Sequence, residues 1–186
     1  MTSNAYMRKK QPDAVRRALL DAAIQIAIEQ GVQGVTIQAV ATAAGVTKGG
    51  LFHHFASKQA LIEGVYLDLI DKMDAELDEH MARDPEPQGR FTRAYVQTML
   101  SGSDFGASSP WVALSVAMLA DPGNNVTFIH WLDGRLERHK DTDSDPRLEV
   151  VRFAADGAWF IFIDKAPTAE RLDDLRARLI GMTRQL

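Results

Sequence analysis

The chain has 186 residues, 46% of them hydrophobic and none of them cysteine, which allows a sizeable core and gives no basis for a disulfide framework or a thiolate metal cluster. Its net charge of −4 at pH 7 argues against a protein coated in positive charge that wraps nucleic acid over its whole surface. No apolar run reaches the roughly 18 to 20 residues of a membrane span, and the first residues lack the apolar stretch of a secretory leader, so a cytoplasmic protein is expected.

Helical periodicity begins at Pro12 and runs to Gln30, with Val15, Leu19, Ala22, Ala23 and Ile26 recurring on one face and Pro12 suited to a first turn. Gly31 ends it, and Gly34 keeps the connection tight. Thr36 caps a short alanine-rich helix from Ile37 to about Ala44, which Gly45 stops. Thr47 caps a third helix to about Phe55, and Ser57 a fourth from Lys58 to about Met81. Asp84-Pro-Glu-Pro-Gln-Gly89 cannot continue a helix and reads as a loop. Beyond it, helical patterns cover 91–101, 109–119, 124–140, 147–164 and 168–184, separated by breaks at 102–107, 121–123, 141–146 and 166–167. The expectation is an all-α fold of about nine helices, since no sustained two-residue alternation interrupts them. A head at 12–72 precedes a body at 73–186.

Charge divides along the same line. Residues 1–58 carry seven Lys/Arg (Arg8, Lys9, Lys10, Arg16, Arg17, Lys48, Lys58) against three acids, a balance of +4 that leaves −8 for the remainder. A basic head on an acidic body concentrates positive potential where a phosphate backbone would lie. Arg8-Lys9-Lys10 is open between a solvated tail and an arm that touches nucleic acid. Within the head, Thr36 to Ile62 reads as helix-turn-helix. Ala41 allows two short helices to cross closely, Gly45 makes the turn, and Val40, Ala44, Val46 and Leu51 lock the pair, as a recognition helix entering a major groove at one angle requires. Phe52 and Phe55 bracket its end. His53 and His54 stand about 100° apart on a helix, which argues against a shared metal. The plainer reading, one surface and one packed histidine, stays open.

Thr36, Gly45, Val46, Thr47, Lys48, Leu51, Phe52, His54, Phe55, Ser57 and Lys58, in this order and spacing, make residues 12–72 resemble the DNA-binding domain of the TetR family of transcriptional regulators. The resemblance implies that Thr47, Lys48, Gly49 and His53 face the major groove while Thr36, His54 and Lys58 approach phosphates. Lys48 would then donate to guanine O6 or N7. A cation at the second position of the fourth helix is disfavoured by the helix dipole, which points to an external partner for Lys58. Two departures bear on the operator: Phe52 replaces the family's common tyrosine, removing a hydroxyl contact to phosphate, and Gly50 replaces a frequent Thr or Ala.

The body is rich in aromatic and methionine side chains. Most belong to a core, but the resemblance implies that some line an effector cavity between the fifth and eighth helices. Met99, Trp111, Met118, Phe128, Trp131 and Trp159 are the candidates, with His130 as a polar contact and an apolar small molecule as the ligand. The last two helical patterns carry apolar stripes that one chain would struggle to cover, and in the family such helices form a four-helix homodimer interface. Ala154, Ala155, Ala158, Phe162, Leu172, Leu175, Leu179 and Met182 are assigned to it, with ordinary packing within the chain as the alternative. A two-fold dimer then matches a palindromic, double-stranded operator.

The expected function is therefore that of a DNA-binding repressor released by an effector, with no cofactor and no metal. An architectural DNA-binding protein without a ligand is the alternative, disfavoured by the acidic body. An enzyme using the body's cavity is weaker still: the sequence has no cysteine nucleophile, Gly-x-Ser-x-Gly elbow, Walker loop or His-Glu-x-x-His, and His80, His130 and His139 fall in unrelated segments.

Overall fold

Six helices begin where a side-chain oxygen answers an otherwise unpaired backbone N–H, one of them after Ser57, which accepts from Ala60. Thr36, Thr47, Asp121, Asp145 and Thr168 each stand extended before a helix and accept from Ala39, Gly50, Gly123, Arg147 and Arg171 respectively. The computed structural model describes residues 3–101, 111–162 and 167–184, with side chains from position 12 onward except those of 111–113 and 118. Among the described residues there are ten helices and no strand: α1 Ser3–Gly34, α2 Ile37–Ala43, α3 Lys48–Phe52, α4 Lys58–Arg83, α5 Arg90–Met99, α6 Trp111–Leu119, α7 Pro122–Arg138, α8 Lys140–Asp143, α9 Pro146–Ile161 and α10 Ala169–Met182. None is long and apolar enough to cross a membrane.

Several boundaries differ from the sequence expectation for identifiable reasons. Pro12 lies inside α1 rather than in its first turn; its fixed φ fits a helix, while it forfeits one backbone bond and its ring crowds the preceding turn. At Gly31, by contrast, the backbone leaves helical geometry where the end was expected, at φ 72 and ψ 171, and Val32–Gly34 follow beyond that kink. α3 stops at Phe52, where the His54 N–H tightens the turn by reaching the Leu51 carbonyl three residues back at 2.9 Å. The segment expected as a break after Lys140 instead forms the four-residue α8, and Asp121-Pro122 and Asp145-Pro146 are the caps and first turns of α7 and α9 rather than loop.

The chain forms two compact units, residues 1–69 and 70–186. In the first, Leu19, Ala23 and Ile26 of α1 are buried, as are Val40 and Ala41 of α2, Leu51 of α3, and Phe55, Leu61 and Val65. A Cβ at Gly64 would come within 2.6 Å of the Phe55 ring, so α4 can lie against that ring only with glycine there. Arg16 stands 5.1 Å over the same ring, and Arg17 binds Asp68 with both guanidinium nitrogens. These two head cations therefore have partners within the fold.

In the second unit α5 is central, with eight of its ten residues buried. Phe91, Tyr95, Met99 and Leu100 share a core with Met73 and Leu77 of α4, Val151, Ala155 and Trp159 of α9, and Leu172 and Leu179 of α10. Three buried arginines cross this unit. Arg93 binds Asp84 at 2.6 Å and the carbonyls of Gln88 and Glu86 at 2.6 and 2.7 Å, tying the proline loop to α5. Arg135 reaches Asp78 at 2.6 Å. Arg152 donates to the Thr92 hydroxyl at 2.7 Å, and that hydroxyl donates to Asp143 at 2.7 Å.

Candidate nucleic-acid interface

The turn between α2 and α3 is built on Gly45, whose φ of 68 places it in the left-handed region that a side chain would oppose. Its N–H donates to Thr42 at 3.1 Å, and Val46 N–H donates to Ala41 at 2.9 Å, closing the turn. Val40, Ala41 and Leu51 are buried beneath it. Rotating outward around α3, Lys48, Gly49, Phe52 and His53 are exposed, so this short helix has one packed side and one bare side.

Both capping threonines are exposed. Each uses its oxygen as an acceptor, Thr36 from Ala39 N–H at 3.1 Å and Thr47 from Gly50 N–H at 3.0 Å. That leaves each hydroxyl proton free to donate outward, the arrangement a phosphate oxygen can use. Lys58 opens α4 half-buried beside Ser57, which caps the helix by accepting from Ala60 N–H at 3.0 Å. His54 is half-buried and His53 exposed, so the adjacent histidines occupy different surroundings. The eight head positions thus fall at three helix starts (Thr36, Thr47 with Lys48, and Lys58), on the exposed side of α3 (Gly49, Phe52 and His53) and in the turn after it (His54).

The candidates for an effector site fare unevenly. Met99 and Trp159 are buried in the core of the second unit, and Phe128 and Trp131 pack against it half-buried, their rings 5.5 Å apart. The Trp131 indole donates to Asp74 at 2.8 Å. His130 is exposed on α7 and does not join them, because it falls between Phe128 and Trp131 and so turns to the opposite side of the helix. The side chains of Trp111 and Met118 lie outside the described residues. A separate open cleft of about 360 Å³ lies between α7, α8 and α9, its wall including Asp133, Glu137, Lys140, Asp143 and Arg152. Sequence reading did not reach this polar group, whose members are scattered among ordinary surface charges. Among the described residues no cluster of three or more His, Asp or Glu could hold a metal ion.

The positions assigned to pairing with a second chain also divide. Ala155, Phe162, Leu172 and Leu179 are buried within the chain itself, and Ala158 and Leu175 pack against the same core, whereas Ala154 and Met182 are exposed. Large apolar side chains stand uncovered on the other side of α9: Val150, Phe153, Phe160 and Ile161, the last 73% exposed. With Ala154 and Gly157 they follow the spacing of a single helical face.

Residues 19–65 match the family model described as bacterial regulatory proteins, tetR family. Residues 89–184, just over half of the chain, match that of the tetracyclin repressor-like C-terminal domain. The chain belongs to the TetR family of transcriptional regulators. The repressor KstR2 of Rhodococcus jostii is 30% identical to this TetR-family chain over 88 residues, 47% of the chain and 41% of KstR2. The chain thus spans about two fifths of that relative's length. A solved transcriptional regulator from Rhodococcus sp. Rha1 is 26% identical, with 94% of this chain and 96% of the other superposed at a TM-score of 0.68. The multidrug binding protein EbrR, solved in complex with malachite green, shares the fold at 22% identity, with 88% and 96% of the two chains covered and a TM-score of 0.67.

Proposed function

We propose that the protein is a repressor that binds a palindromic DNA operator as a homodimer and releases it when a small apolar molecule enters the second unit. The observation that carries the reading is the head: a rigid helix-turn-helix whose second helix turns Lys48, Gly49, Phe52 and His53 outward while Leu51 is wholly buried behind them. The two capping hydroxyls and Lys58 supply donors at its margins, suited to phosphates. The apolar stripe on α9 supports pairing with a second copy, and the complex of EbrR with malachite green supports a ligand site in a fold of this kind.

The test is selection from a random-sequence duplex pool at physiological salt, followed by affinity measurements with two variants. Lys58→Ala should weaken binding to selected and random duplexes alike and lower the salt slope by about one unit. Lys48→Ala should cost about 1 to 3 kcal/mol on the selected duplex and relax base preference. Recovery of no specific duplex would refute the reading, and equal behaviour of the two variants would refute the division of roles.

A further inference from the structure

The outward side of α3 holds a glycine that the fold does not require. Gly64 is needed for the close approach of Phe55 and Gly45 for its positive φ, but Gly49 has neither excuse. A Cβ built there meets only the Thr47 hydroxyl at 3.9 Å, ordinary contact, and its φ is not in the left-handed region. Glycine within a helix is less stable than alanine. The bare backbone at 49 therefore works against the stability of α3 and serves nothing inside the chain.

One turn further on, Phe52 is the complementary oddity. Its ring is 49% exposed on a helix whose core contact is already made by the fully buried Leu51. Positions three apart on a helix are surface neighbours, so exposed Gly49 leaves bare backbone beside the exposed Phe52 ring, with Lys48 and His53 next to them in the chain. Phe52 has no hydroxyl and cannot bond a phosphate. In a B-DNA major groove the base edges present hydrogen-bonding groups with one apolar exception, the 5-methyl of thymine. The Phe52 ring offers that methyl an apolar contact, whereas an amino or carbonyl group set against the ring would lose its water without gaining a partner.

We propose that Gly49 and Phe52 read the 5-methyl group of one thymine in each operator half-site, Phe52 as the contact and Gly49 as the clearance that lets the base edge approach. The proposal rests on the reading that this head binds duplex DNA, and its test separates the two. A duplex is selected with the full-length protein from a random-sequence pool and then remade with single thymines replaced by deoxyuridine, which deletes the methyl and nothing else. At one symmetry-related pair of thymines, deoxyuridine should weaken binding about fourfold per methyl, the factor equivalent to the ~0.8 kcal/mol of one buried methylene-sized group. Deoxyuridine elsewhere should have little effect. Phe52→Ala should bind the thymine and deoxyuridine forms of that pair equally. Gly49→Ala should raise the thermal midpoint of the protein while discriminating against thymine at that pair. Uniform tolerance of deoxyuridine, or a methyl preference that survives intact in Phe52→Ala, overturns the proposal while DNA binding stands; failure to select any duplex overturns both.

Discussion

His139 closes α7 and stacks on Phe91 with ring centroids 5.4 Å apart, while the Arg135 guanidinium lies 5.6 Å from the same phenyl ring. Burial, and then the positive charge of Arg135, push the imidazole pKa below its ordinary value of 6.5. The unfolded chain therefore takes up this proton more readily than the folded one. The stability His139 contributes is complete above about pH 6.5 and is lost progressively as pH falls from there toward the lowered folded pKa. Urea unfolding followed from about pH 7.5 to about pH 5.5 should show stability declining, and His139→Phe, which keeps an aromatic ring but cannot titrate, should flatten part of that decline. An unchanged slope would contradict the assignment. None of this was legible in the sequence, where His139 is one of five histidines. The same holds for Arg93, Arg135 and Arg152: surface-type residues by composition, they are buried because Asp84, Asp78 and Thr92 come to them. Two of those three partners lie more than fifty positions away in the chain.

Helix starts were legible because their causes are local. Thr36, Thr47 and Ser57 cap as expected from a hydroxyl ahead of an apolar pattern, while α8 escaped because four residues carry too little periodicity to register. Faces were harder. α9 is apolar nearly all round, with Leu148, Val151, Ala155 and Trp159 turned into the chain's own core and Val150, Phe153, Ala154, Phe160 and Ile161 turned out. Periodicity marks both stripes and does not say which one a second chain would cover, so it points to Ala155, Phe162, Leu172 and Leu179, which fill the interior. The exposed stripe makes the sharper prediction. Phe153→Glu, at a position 65% exposed, should leave the helical circular dichroism and thermal midpoint of the chain close to wild type and yield a monomer in sedimentation at micromolar concentration. Ala155→Glu should instead unfold the second unit, since a carboxylate there would be buried without a partner. A Phe153→Glu protein that still sediments as a dimer would place the interface elsewhere.

At the scale of the molecule, one helix, α4, carries the chain from the first compact unit into the second, and on the proposed reading it is the lever by which effector binding changes the spacing of the two recognition helices in a dimer. A ligand shifts such an equilibrium only through its differential affinity for the two states. Coupling of about 1 to 3 kcal/mol would weaken operator binding roughly 5- to 150-fold, and the operator must weaken effector binding by the same factor. Calorimetric titration of an effector in the presence and absence of operator should return that reciprocal factor, and equal affinities would remove the allosteric step while leaving family membership untouched. The claim on which the rest depends is that two chains read one duplex. Sedimentation equilibrium of the protein with a duplex selected from a random pool, at physiological salt, tests it most directly. Wild type should form a complex of two chains per duplex and Phe153→Glu should lose it; one chain per duplex, or a complex unaffected by the substitution, would contradict paired reading.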